Sequence, residues 1–201
     1  MGLNFTDLVW PDGANNTPGI GYKIAVARLS EIDETQFPQV IEPDPSKTSG
    51  DFDFADLVTI ENDIVFKLGS SGFKTIYNTI ETGELKSELQ GEFDGKSFMN
   101  TLEFLHPGSR PEMLGFAAYC KNGNLIFLIE EQDGQKRLLG HPRYPAKMVS
   151  APGTTGKESA ARKAVTFTFQ SVSSYPAPVF LGNVILTGSG GTAEQEIFYL
   201  D

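Results

Sequence analysis

One cysteine, two histidines, one tryptophan and few basic residues leave little material for chemistry in this 201-residue chain. A single thiol, Cys120, cannot build an internal disulfide framework, and it reads as a small buried apolar residue rather than a nucleophile. His106 and His141 each precede a proline. Neither has another histidine, cysteine or carboxylate at ligand spacing, so the pattern offers no zinc site and signals no serine triad. No Gly-X-Ser-X-Gly elbow occurs. Lys and Arg number 16 against 26 Asp and Glu, a net charge of −10, which argues against binding nucleic acid by phosphate neutralisation. No apolar run approaches membrane-spanning length, and no basic-plus-apolar leader is present, so the expectation is a soluble protein made in the cytoplasm, without membrane contact.

Two motifs invite chemistry and fail on spacing. Gly153-Thr-Thr-Gly156-Lys157 looks like a phosphate loop, but the first glycine would fall on Ala151 and the Ser/Thr after the lysine on Glu158. Asp51-Phe-Asp53-Phe-Ala-Asp56 has the acids of a calcium loop without its turn glycine or distal glutamate. The expectation is therefore no catalytic residue, no metal and no cofactor.

What is present points to β structure. The 21 glycines and 12 prolines favour short strands and many turns, and 15 phenylalanines favour an aromatic core. The length suits one domain, 1–201. The expected class is mainly β (α+β), a β-sandwich of two packed antiparallel sheets with one or two short flanking helices. An N-terminal arm, 1–20, carries an apolar cluster with no room for its own core and is expected to dock on the body or on a neighbour. A loop excursion, 30–57, is acidic and proline-interrupted, with at most a short strand near Phe52–Phe54.

Strands are expected at 22–27, 58–66, 74–79, 124–130, 136–139, 147–149, 165–172, 183–186 and 197–200, with a flexible link at 188–191. The run Leu125-Ile-Phe-Leu-Ile129 has no polar alternation, so it should be covered on both faces. Val165 to Val172 alternates, with phenylalanines inward. Tyr175-Pro-Ala-Pro-Val179 breaks that strand. Pro111 is placed to start a short helix at its first position.

The stretch 81–107 carries the most pattern. Glu84, Lys86, Glu88, Gln90 and Glu92 fall on one face of an extended chain, and Leu85, Ser87, Leu89, Gly91 and Phe93 on the other. After Asp94-Gly95, Phe98, Leu102 and Leu105 recur at helical spacing, with Ser97 or Asp94 as cap and Pro107 as terminator. A helix over 97–107 is expected.

Charge is unevenly spread. Residues 31–63 hold ten acids and one base, and residues 136–163 seven bases and one acid. Two solvated loops with a chance bias account for this. So does head-to-tail complementarity between identical subunits. In that case Asp44, Asp51, Asp53 and Asp56 face Arg143, Lys147, Lys157, Arg162 and Lys163 across the contact.

Two blocks carry a family likeness. Gly156-K-E-S-A-A-R-K-A-V-T-F-T-F-Q-S-V-S-S-Y-P-A-P-V-Phe180 resembles the C-terminal part of tail tube (major tail) proteins of long-tailed bacteriophages. Thr82-G-E-Leu85 with Gly91-E-F-D-G-K-S-F-M-N-T-L-E-F-L-H-P-Gly108 is similar to a block of phage-encoded tail proteins. Together they cover roughly residues 60–180. The resemblance implies subunits of two packed sheets and a flanking helix, hexameric rings stacked head-to-tail, and a strand-lined acidic lumen through which DNA slides without specific binding. It implies a structural virion protein rather than an enzyme, assembled in the bacterial host cytoplasm, with itself and other tail proteins as partners. Glu84, Glu88 and Glu92 are the candidate lumen-facing residues. A tail terminator or other injection-machine component, or a β-sandwich ligand-binding module, are the alternatives.

Overall fold

The structure is a computed structural model describing residues 7–10, 12–40, 53–70, 72–157, 162–187 and 193–194. In chain order the elements are β1 (Ile20–Arg28), β2 (Thr59–Ile60), β3 (Lys74–Tyr77), β4 (Glu84–Gln90), β5 (Ser97–Pro107), α1 (Pro111–Cys120), β6 (Leu125–Glu131), β7 (Lys136–Leu139), β8 (Lys147–Ser150), β9 (Gly153–Thr154), β10 (Ala164–Ser173), β11 (Val179–Phe180), β12 (Leu186–Thr187) and β13 (Ala193–Glu194). The fold is mixed α+β, with a six-stranded sheet, a five-stranded sheet and one α-helix among the described residues.

The six-stranded sheet runs β2-β11-β7-β6-β1-β3, and the five-stranded sheet runs β4-β5-β10-β8, with β9 also on β10. Among the described residues the strand pairs are antiparallel except where β11 meets β2, and Phe73 bridges Leu186 of β12 in parallel as well; both depart from the all-antiparallel expectation.

The apolar run of β6 explains the layering. Leu125, Phe127 and Ile129 lie in one core cluster with Ile24 and Val26 of β1 and with Leu102, Phe104, Phe167 and Phe169 of the five-stranded sheet. Ile126 and Leu128 face the other way and join Ala25, Ala27, Ile32, Phe37, Phe73 and Phe180. Both faces of β6 are covered, as the missing alternation predicts. Each fully buried Phe, Leu or Ile contributes about 1.5–3 kcal/mol over its exposed state.

The second cluster corrects the view of 30–57 as a bare excursion. Ile32 and Phe37 are buried, and 3-10 turns at Leu29–Glu31 and Glu34–Gln36 lay this segment over the sheet. No strand forms at Phe54, and a third 3-10 turn spans Asp56–Val58. The strand expected over 58–66 shrinks to β2, although Ile64 stays buried and Phe66 bridges Ile32. Residues 41–52, the link at 188–191 and the strand expected at 197–200 lie outside the described residues.

The largest correction concerns 97–107, which is strand, not helix. β5 pairs with β4 from Glu84↔Glu103 to Gln90↔Ser97 and with β10 from Ala164↔Pro107 to Ser173↔Phe98. Leu102 and Phe104 are buried in the core with exposed Glu103 between them, although Asn100 and Thr101 are both buried. Phe98, Leu102 and Leu105 also fit a helical period, and so short a run cannot separate the two. Pairing on both sides decides it. Two left-handed residues, Gly91 (φ 100°) and Asp94 (φ 64°), turn β4 into β5.

α1 starts where Pro111 places it, but of the apolar face expected from Met113, Leu114 and Ala117, Leu114 is exposed and Phe116 packs inward instead. Pro111 occupies the first turn, Met113 and Cys120 are buried, and Phe116 and Ala117 pack on the first cluster. Ten residues are too few to hold a helix alone, so this packing maintains it.

Candidate functional site

The outer face of the five-stranded sheet follows from alternation. Leu85, Leu102, Phe167 and Phe169 point to the core, so their neighbours point out. β4 contributes Glu84, Lys86, Glu88 and Gln90, all exposed. Opposite them on β5 stand Glu103, Thr101, Met99 and Ser97. β10 adds Thr168, Gln170 and Val172, registered on the same three β5 residues Glu103, Thr101 and Met99. Gln170 Nε2 donates to Thr101 Oγ1 at 3.2 Å, and Ser150 Oγ of β8 donates to Thr168 Oγ1 at 3.0 Å. Polar contacts thus link β5 to β10 and β10 to β8 on this face, while Met99 and Val172 form an apolar pair within it.

Three carboxylates sit on this face. Glu84 and Glu103 are directly opposed, an unfavourable like-charge pair. Lys86 lies beside them, 3.1 Å from Glu88 Oε1. Its ammonium pKa is raised, first by the hydrogen bond and charge of Glu88 and then by Glu84 and Glu103. Glu92 departs from the expected row: it lies past the end of β4, exposed in the turn. Glu103 was hidden by the helical reading of 97–107. Inward, Leu85 packs on the core, but Leu89 (54% exposed) and Phe93 (88%) project with the hairpin beyond it.

Both edges of this sheet are open among the described residues. One is β4, and the other is formed by β8 and β9 along β10. Open edges present unpaired backbone groups that another strand can take.

The charged segments resolve into separate roles. Asp53 Oδ1 accepts from the backbone N–H of Ala55 and Asp56, and Asp56 Oδ2 accepts from the N–H of Asp53 at 2.9 Å. This reciprocal pair is a capping box, so the calcium-like spacing serves a turn. Asp33 caps its own turn through Thr35 and Gln36, which lower its pKa. Asp63 accepts from the backbone and side chain of Asn183. Asp44 and Asp51 lie outside the described residues.

The basic segment does not form one patch. Arg162 and Lys163 are exposed where β10 begins, and Lys147 is registered on Gln170. Six strand positions, about 20 Å, separate Ala164 from Gln170. Arg143 is exposed in the β7–β8 loop, and Lys157 is exposed beyond β9. Arg137 is committed internally, 3.2 Å from Glu131 Oε1 and donating to Ala177 O.

The residues with latent chemistry are held structurally. Cys120 is 1% exposed, and burial pushes its thiol up to about 11, so it is protonated at neutral pH. His106 Nδ1 donates to Tyr77 O, and His141 Nε2 donates to Gln39 Oε1. Among the described residues no group of three or more His, Cys, Asp or Glu could hold a metal ion. No described helix is long and apolar enough to cross a membrane. No protein-family model, curated protein or solved structure matches the chain.

Proposed function

We propose that this chain is a structural virion protein, a tail tube subunit that joins copies of itself into stacked, hexameric rings. One observation carries the proposal: the outer face of the five-stranded sheet runs between two open edges and gathers Glu84, Glu88 and Glu103 on its β4–β5 half, with Lys147 at the β8 edge. In a monomer such a face is only wet. In a ring, β4 of one subunit pairs with the β8–β9 edge of the next, and the sheets close into a barrel without edges. The two sheets then act as a sandwich, the inner sheet lining the channel and the outer one facing away.

Glu84, Glu88 and Glu103 would line that channel and repel the phosphates of passing DNA, so the duplex slides without binding. Lys157, Arg162 and Lys163 would meet the acidic 31–63 segment of the next ring. The fold needs no ligand for this work, and its partners are further copies and other tail proteins, in a virion tail assembled in the host cytoplasm.

Negative-stain electron microscopy of the purified protein over a rising concentration series tests the proposal. Rings or tubes of constant width are expected. Irregular aggregates, or monomers at every concentration and with tail-tip extract added, would overturn it.

A further inference from the structure

The β4–β5 hairpin ends in a knob. Phe93 is 88% exposed at its tip, between Glu92 and Asp94. The turn is pre-ordered. Gly91 holds φ 100°, where an added Cβ would meet Gly95 O at 2.6 Å, and the Gly95 N–H donates to Glu92 O at 3.2 Å. A rigid apolar knob loses little freedom on docking. Neither Glu92 nor Asp94 makes an ion pair among the described residues, and Lys96 lies over one face of the Phe93 ring, 5.3 Å from its centroid, which leaves the tip with two acids and one base.

A matching hollow lies elsewhere on the molecule. Between the edge strand β3 and α1 is an open cleft of about 260 Å³, floored by Val26, Phe116, Cys120 and Leu125. An apolar cavity of about 150 Å³ already admits a benzene ring. Its rim carries two cations. Arg28 lies over the Tyr119 ring and 3.7 Å from Glu31, whereas Lys74 has no ion pair among the described residues. The tip's acids thus have a free cation beside the hollow that fits its ring.

Phe93 does not fill the cleft of its own chain, as its exposure states. Leu85 is the β4 residue on the core, and Gln90 lies five positions, about 17 Å, further out before the turn starts. Folding back would break the β4–β5 pairing. Knob and hollow are therefore different surfaces of one molecule, the arrangement that generates head-to-tail contacts. We propose that Phe93 of one copy inserts into the β3–α1 cleft of a second copy, with Glu92 and Asp94 against Lys74. The inference rests on the assembly reading above and names one of its contacts.

Photocrosslinking tests it. A benzoylphenylalanine at position 93 in a ¹⁵N-labelled copy, mixed with unlabelled protein under assembly conditions, should couple to peptides 74–77 or 113–125 of the unlabelled copy. A second probe at Tyr119 should couple to the hairpin tip. Coupling of that probe to the exposed Leu8-Val9-Trp10 arm, or of the first probe anywhere else, overturns the inference. Sedimentation velocity separates this contact from assembly itself. Phe93→Ala should keep the monomer folded and raise the concentration at which assembly begins by at least about tenfold. Assembly of Phe93→Ala like wild type sinks this contact and leaves the proposed function standing. Wild-type protein that never assembles sinks both.

Discussion

The ring of Phe127, from the six-stranded sheet, lies 4.6 Å from that of Phe169, from the five-stranded sheet, tilted by 51°. Both are fully buried, and Phe169 also stacks on Phe104 at 6.1 Å. This contact fastens one layer to the other.

Phe169→Ala should therefore cost about 3–5 kcal/mol, the range for removing a buried aromatic ring. Thr168→Ala, one residue away on the outer face, should cost only about 0.5–1.5 kcal/mol, the value of the hydrogen bond it accepts from Ser150. Urea unfolding of the two variants checks the pair. Equal losses would mean that the inward and outward faces of β10 are misassigned.

Asn78 ties the two sheets through polar contacts. It is fully buried, its Nδ2 donates to Gly21 O at 3.2 Å, and its Oδ1 accepts from the Leu105 N–H at 3.3 Å. Gly83 packs so close that an added Cβ would lie 2.6 Å from the Asn78 amide nitrogen. Asn78→Ala leaves a buried donor and acceptor without partners, at a cost of about 1–3 kcal/mol for each such group. Thermal unfolding measures this, and an unchanged midpoint would contradict it.

Much of this architecture is legible in the chain. The alternation of Val165 to Val172 gives its inward phenylalanines, and the unbroken run Leu125–Ile129 gives a strand covered twice. Pro111 marks the helix start. The candidate face was half legible. Glu84 and Glu88 follow from alternation alone, but Glu103 needs the strand at 97–107, where Phe98, Leu102 and Leu105 mimic a helical period. Which strands become neighbours is a long-range matter. β1 lies between β3 and β6, and no local pattern in residues 20–28 specifies the partner a hundred residues later. The exposure of Leu89 and Phe93 is likewise invisible to periodicity, because it depends on how far the hairpin outruns the core.

His141 gives the fold a pH dependence. Burial first, and then Arg143, lower its pKa below the usual 6.5. Its Nδ1 accepts from the Arg143 N–H, and its ring packs edge-on against Phe37. The folded state holds the neutral ring, whereas the unfolded chain takes up a proton near pH 6.5. Stability from this group is full above that pH and is lost as pH falls through it. His141→Gln should flatten the stability profile between pH 7.5 and 5.5, measured by urea titration. A variant that loses stability on acidification as steeply as wild type would contradict this.

Amide hydrogen exchange, measured side by side on monomer and assembled protein, bears most directly on the ring. Pairing of the open edges should slow exchange at β4, Glu84–Gln90, and at β8, Lys147–Ser150, together, because each edge completes the other. Slowing at both edges in the assembled form is the expected result. Equal exchange in monomer and assembly at both edges, with protection gained only elsewhere, would contradict a ring closed through the five-stranded sheet.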